Sequence, residues 1–139
     1  MRQIIQIILH HSLTRDSQTV SWDAIRRYHT LTMGWSDVGY HGCIELINDR
    51  YEILLGRPFA KIGAHTKGYN RYSIGICMIG NFDLSPPPDK QWDLTIKFIR
   101  DLMDVFRISK RNVFGHHEFN RWKSCPGNTI SIERLRMKL

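Results

Sequence analysis

The amino-terminal end of this sequence has no apolar run long enough to cross a membrane. Its one short run, Ile4 to Leu9, is interrupted by Gln6 and ends at two histidines instead of a small-residue cleavage site. A spanning helix needs about 20 apolar residues, and a secretory leader needs its cleavage site. Neither a membrane span nor a signal peptide is therefore expected, and the cytoplasm is the expected compartment until something else releases the protein. Acidic residues are scarce, 13 against 20 Lys and Arg, for a formal net charge of +7. A basic surface suits a polyanionic partner, and it also serves plain solubility. The basic residues are dispersed and not interleaved with aromatics, so nucleic acid is not expected as the partner. Cysteines are few and odd in number, at 43, 77 and 125. Cys43 and Cys77 lie in apolar segments and read as buried thiols, reduced in an intracellular protein. No pair of acids stands out as a glycosidase would need. No HExxH or CxxC is present.

What is present fits one domain over residues 1–139, with 42% hydrophobic residues. Ile4 to Leu9 reads as a buried strand. Ser21 is a candidate N-cap for a helix from Trp22 to about Met33, with Trp22, Ile25, Tyr28 and His29 on one face and Gly34 as the stop. Residues 41 to 47 and 51 to 55 flank Asn48-Asp49, a hairpin signal. A glycine-rich connection runs from Gly56 to Ser73, and Ile74 to Ile79 is another strand. After Pro86-Pro87-Pro88, Asp89 is a candidate cap for a helix whose Trp92, Ile96, Ile99, Met103 and Phe106 recur at helical spacing. Asn112-Val113-Phe114 reads as a short strand, and Ser131 opens a last helix. The order β-α-β-β-β-α-β-α predicts an α/β fold: a central mixed sheet flanked by helices.

Candidate metal ligands fall at the ends of these elements. His10 and His11 follow the first strand, His116 and His117 follow the last, and Cys125 comes shortly after. Two imidazoles and a thiolate suit zinc, with a fourth position open to water. On spacing alone, packed and hydrogen-bonded roles fit these residues equally well.

Five ordered motifs carry a resemblance. They are Gly34-Trp35-Ser36-Asp37-Val38-Gly39-Tyr40-His41; Gly56-Arg57-Pro58 with Gly63-Ala64-His65-Thr66-Lys67-Gly68-Tyr69-Asn70; Ser73-Ile74-Gly75-Ile76; Gly115-His116-His117-Glu118; and Lys123-Ser124-Cys125-Pro126-Gly127. In this order the chain resembles the type 2 N-acetylmuramoyl-L-alanine amidases, a family that includes amidase-type phage lysozymes and the peptidoglycan recognition proteins. The resemblance implies one Zn²⁺ held by His10, His116 and Cys125, the first histidine of each pair being the ligand. It implies Tyr40 and Lys123 as catalytic residues, and His65 and Asn70 as groove-lining ones. Trp35 is a further candidate for substrate contact, with a core role as its alternative. For Asn70 the alternative is bracing of its own loop.

The expected activity is hydrolysis of the amide between N-acetylmuramic acid and L-alanine. The expected partner is bacterial peptidoglycan and the expected setting a phage or prophage endolysin, acting as a monomer. The alternative is a non-catalytic peptidoglycan-binding module on the same fold; the retained Cys125, Tyr40 and Lys123 argue against it. Glu118 is a weaker candidate base, more simply read as a solvated or ion-paired carboxylate. His29 is read as packing on its helix's apolar face, and His41, alternating away from Tyr40, as structural or as a support behind the site residues. Lys67 and Arg71 are read as solvated charge or as contacts to peptide carboxylates. Two segments depart from the family pattern and bear on the groove's shape: Gly42-Cys43, where bulky apolar residues are usual, and Phe119-Asn120-Arg121-Trp122.

Overall fold

The computed structural model describes residues 1–13 and 21–139. Its elements follow the expected order: β1 (Gln6–His11), α1 (Trp22–Arg27), β2 (Gly42–Ile47), β3 (Arg50–Leu55), β4 (Ser73–Met78), α2 (Asp89–Phe106), β5 (Val113–Gly115) and α3 (Ile132–Lys138). The sheet runs β3-β2-β4-β1-β5. Only the β2–β3 hairpin is antiparallel, and the other three pairings are parallel. Asn48 turns the hairpin with a positive φ of 58°, a conformation asparagine tolerates better than most residues.

Strand alternation gives the sheet two different faces. On one, Ile7, Leu9, Ile44, Ile74, Ile76 and Met78 pack beneath Ile96, Phe98, Ile99 and Leu102 of α2 and beneath Ile132 and Leu135 of α3. On the other, Cys43, Cys77 and Ile79 pack with Trp22 and Val38. Each fully buried Ile or Leu stabilises by roughly 1.5–3 kcal/mol, so the α2 face supplies most of the hydrophobic stabilisation. The opposite face is then free to carry polar groups. Register places Cys43, Cys77 and His10 in one row on that face.

Two capping expectations hold and one does not. Ser21 accepts a hydrogen bond from Ala24 N–H at 3.1 Å, and Ser131 accepts one from Arg134 N–H at 3.2 Å. Asp89 is not a cap: Pro88 occupies that position without a side-chain bond, and Asp89 sits in the first turn. There its charge still faces the positive end of the helix. The first helical segment reaches its expected end, with its cap at Met33, but changes type on the way. After Arg27 the chain widens into a π-helical turn, Tyr28–Thr32, which rotates Tyr28 outward to 55% exposure.

Gly42 lies on the α2 face, so its missing side chain shapes the core and not the groove. A Cβ there would stand 2.8 Å from the Phe98 ring. Gly42→Ala is therefore expected to overpack this contact and cost about 1–3 kcal/mol. The check is a lowered denaturant midpoint with an unchanged slope; an unaltered midpoint would show that Phe98 can move aside freely.

Candidate metal centre

The carboxyl ends of β1 and β5 lie side by side because the strands are parallel neighbours. His10 stands at the end of β1 and His116 directly after β5. The loop that follows returns to bring Cys125 between them. The donor atoms of His10, His116 and Cys125 all lie within 4.8 Å of one another, with His10 Nδ1 3.6 Å from Cys125 Sγ. The second histidine of each pair is used differently. His11 Nδ1 accepts from Phe82 N–H at 3.1 Å, while its backbone N–H points at Cys125 Sγ at 3.4 Å. His117 holds the Cys125 carbonyl from its backbone N–H at 2.8 Å and from its ring Nδ1 at 3.1 Å. The second histidines thus brace the loop on which the thiol sits.

The donors suit a divalent metal. Burial, then the neighbouring His65, His116, His11 and Lys123, push His10 well below the usual histidine range. Burial, then Lys123 and His117, lower His116 to about 4. Both rings are therefore neutral at pH 7, as ligands must be. Burial pushes the Cys125 thiol up to about 12, against the pull of the His11 N–H and Lys123. A thiolate in that setting needs a stronger positive charge beside it, which a bound dication supplies. Two histidines and a thiolate match zinc in donor type.

Tyr40 lies beside this group, its ring 5.2 Å from that of His10. Burial, then the Cys77 and Cys125 thiols, hold its hydroxyl well above the ordinary phenol range, so it stays protonated and can donate. Lys123 is exposed and lines both cavities that meet here. One, of about 520 Å³, runs past His10, Tyr40 and Cys125 toward Leu13, Asp83 and Trp122. The other, of about 620 Å³, runs past Trp35, His65 and Lys67 toward Asn70 and Phe119. Trp35, His65, His116 and Lys123 border both. Asn70 also braces its loop: its Oδ1 accepts from the backbone N–H groups of His65 at 2.9 Å and Thr66 at 2.8 Å. Glu118 is committed elsewhere, to Gly115 N–H at 2.9 Å and to Arg136 at 2.8 Å. His29 caps Gly39 N–H at 3.1 Å, and Arg71 stacks over Tyr72.

Asp83 and Arg2 carried no sequence signal. Asp83 accepts from Ser124 Oγ at 2.8 Å and Asn128 N–H at 2.9 Å, fixing the loop around Cys125. Trp122, 84% exposed at the cavity's lip, has Arg121 over its ring. Arg2 donates to the carbonyls of Phe59 at 2.8 Å, Arg71 at 2.9 Å and Ser73 at 2.9 Å, stapling both ends of the loop that carries His65. Beside it, His41 Nδ1 accepts from Gly75 N–H at 3.0 Å. The His41 proton therefore sits on Nε2, where it meets the Lys61 carbonyl at 3.0 Å.

Over residues 1–128 the sequence matches the N-acetylmuramoyl-L-alanine amidase profile. The chain belongs to that family. This amidase is 42% identical over 123 residues to an endolysin of Escherichia phage T7, covering 86% of the chain and 78% of the relative. It is 31% identical over 124 residues to an endolysin of Klebsiella phage KP32, covering 87% and 79%. Among solved structures, the amidase LysC from Clostridium intestinale URNW superposes with a TM-score of 0.85 at 28% identity, over 99% of this chain and 85% of that one. Drosophila PGRP-LB superposes with a TM-score of 0.78 at 28% identity, over 96% and 80%. The activity is that of a peptidoglycan amidase.

His41 gives the amidase a pH signature. Burial, with Arg2 and Arg57 nearby, lowers it to about 4, although the Lys61 carbonyl favours the charged form. In the unfolded chain a histidine protonates near 6.5. The unfolded state therefore takes up this proton first as pH falls. Stability from this residue is complete above about 6.5 and is lost toward pH 4, by up to about 3 kcal/mol. NMR titration of His41 and urea unfolding of metal-free protein at pH 7 and 4.5 check this; a midpoint near 6.5 for the folded ring would refute it.

Proposed function

We propose that the chain is a zinc-dependent endolysin that hydrolyses the amide between the lactyl carbonyl of N-acetylmuramic acid and L-alanine. The observation that carries this reading is the convergence of His10, His116 and Cys125 at the junction of two cavities, with Tyr40 and Lys123 beside them. The substrate forks at the reacting amide, with glycan on one side and peptide on the other, and the cavity forks at the same point. An amide is a poor electrophile and neutral water a poor nucleophile. Zinc held by the three donors would lower the pKa of its water toward ~7 and polarise the carbonyl.

The chain's own residues do the rest. The protonated Tyr40 hydroxyl orients the attacking water or hands on its proton. The Lys123 ammonium, tethered close to Cys125, faces the oxygen that gains negative charge. The cavity wall built from His65, Thr66 and Lys67 receives the peptide, with the Lys67 ammonium available to its carboxylates. The complete donor set, with Tyr40 and Lys123, favours an enzyme over a binding module that has lost its metal. The T7 and KP32 relatives favour the endolysin setting, in which a monomer stays in the cytoplasm until it is released to the wall. No described helix is long and apolar enough to cross a membrane.

Digestion of purified peptidoglycan is expected to expose new L-alanine amino groups and leave the glycan uncut; new reducing ends without amino groups would overturn the reading. Cys125→Ser should lose both zinc and lysis, since a hydroxyl is a far poorer ligand than a thiolate. Lys123→Ala should keep its zinc but lose about 10²–10³ in kcat and in kcat/KM together, as expected for a single donor to the oxyanion. A raised KM at normal kcat would instead make Lys123 a binding residue.

A further inference from the structure

A chain of hydrogen bonds leads away from His10 on the side opposite Cys125, and one end of it is a backbone carbonyl, which can only accept. Tyr69 C=O receives the Ser73 hydroxyl at 2.9 Å. With its proton spent there, Ser73 Oγ can only accept from His65 Nε2, 3.3 Å away. His65 therefore carries its proton on Nε2, and its Nδ1 is a bare lone pair. That lone pair faces His10 Nε2 at 3.0 Å, so His10 must carry its proton on Nε2. His10 Nδ1 is then unprotonated, and it is the atom directed at Cys125 Sγ. Thr66, 3% exposed, supports both rings, its Oγ1 lying 3.1 Å from His65 Nδ1 and 3.3 Å from His10 Nε2.

The His65 ring is caged into this orientation. It lies flat on the bare backbone of β4: a Cβ on Gly75 would meet its Cδ2 at 2.4 Å, Cγ at 2.5 Å and Nε2 at 2.7 Å. A Cβ on Gly63 would meet Cδ2 at 2.7 Å. Asn70 anchors the His65 backbone N–H, as described above. Two glycines thus make room for an imidazole, and a hydroxyl or imidazole meets each of its nitrogens. A residue needed only to line a groove would not require this arrangement.

We infer that His65 is a positioning residue for the metal centre: relaying the direction of the Tyr69 carbonyl through Ser73, it locks His10 in the Nε2–H tautomer and presents Nδ1 to the metal. This rests on the zinc reading. Partners of this kind orient a ligand ring and typically contribute 10–100-fold in metal affinity.

Two measurements test it. Nitrogen NMR of the metal-free wild-type protein should find His10 and His65 both protonated at Nε2; a proton on His10 Nδ1 would overturn the inference whether or not zinc is the metal. Zinc affinity should then be measured by chelator competition. His65→Ala should weaken it by about 10–100-fold. His65→Asn, whose Oδ1 can take the place of the ring Nδ1, should recover most of the loss. Ser73→Ala, which frees the His65 tautomer without removing the ring, should weaken it in the same direction and decides the matter if His65→Ala misfolds. Tight wild-type zinc with unchanged affinity in these variants would sink the positioning role alone. A wild-type protein that binds no zinc would sink the zinc reading as well.

Discussion

The parallel pairing of β1 between β4 and β5 is the constraint on which the rest depends. Neighbouring parallel strands end at the same edge of a sheet, and side chains at those ends meet although their residues are far apart in the chain. β1 is buried on both faces, and its register is set by Ile7 and Leu9 facing α2. A slip of one residue would send those two to the polar face and turn His10 into the core. The apolar pattern of the strand therefore also aims His10 at Cys125 and His116.

Around that edge, polar side chains do what apolar packing does elsewhere. Loops have few apolar contacts, so their shape must be set by hydrogen bonds to buried groups. Arg2, His41 and Asn70 hold the loop carrying His65; His11, His117 and Asp83 hold the loop carrying Cys125. His11 does so through its backbone N–H on the Cys125 sulfur, and the other five hold backbone groups of their loops. The two faces of the sheet divide the labour: burial beneath α2 stabilises, and the opposite face tolerates a cluster of histidines and thiols whose burial costs free energy.

That cost has a chemical return. Burial suppresses the charged forms of His10, His65 and His116 and of the Cys125 thiol together. The neutral imidazoles offer bare nitrogens to a dication, whereas the Cys125 thiol must give up its proton to bind one; the same dry setting keeps the Tyr40 hydroxyl protonated. Lys123 stands exposed at the rim shared by the two cavities.

The order of elements, the mixed sheet and the family were legible along the chain, because strand and helix periodicity, the Ser21 and Ser131 caps and five ordered motifs are local signals. The sequence also nominated both histidine pairs and Cys125 from their places at the ends of elements, and singled out His10 and His116 only through the resemblance, since no local spacing joins them. The tertiary structure decided what is relational. It separated the two members of each histidine pair, because only His10 and His116 bring a ring nitrogen within 4.8 Å of the Cys125 sulfur and of each other as a possible metal-holding group. It put Gly42 under Phe98 and away from the groove, and moved the helix cap from Asp89 to Pro88. It gave Arg2 four carbonyls in a loop more than fifty residues away, a partnership that leaves no trace in local pattern. The direction of the protons on His10 and His65 follows from a carbonyl at Tyr69 and two bare glycines, and only a folded chain brings these together.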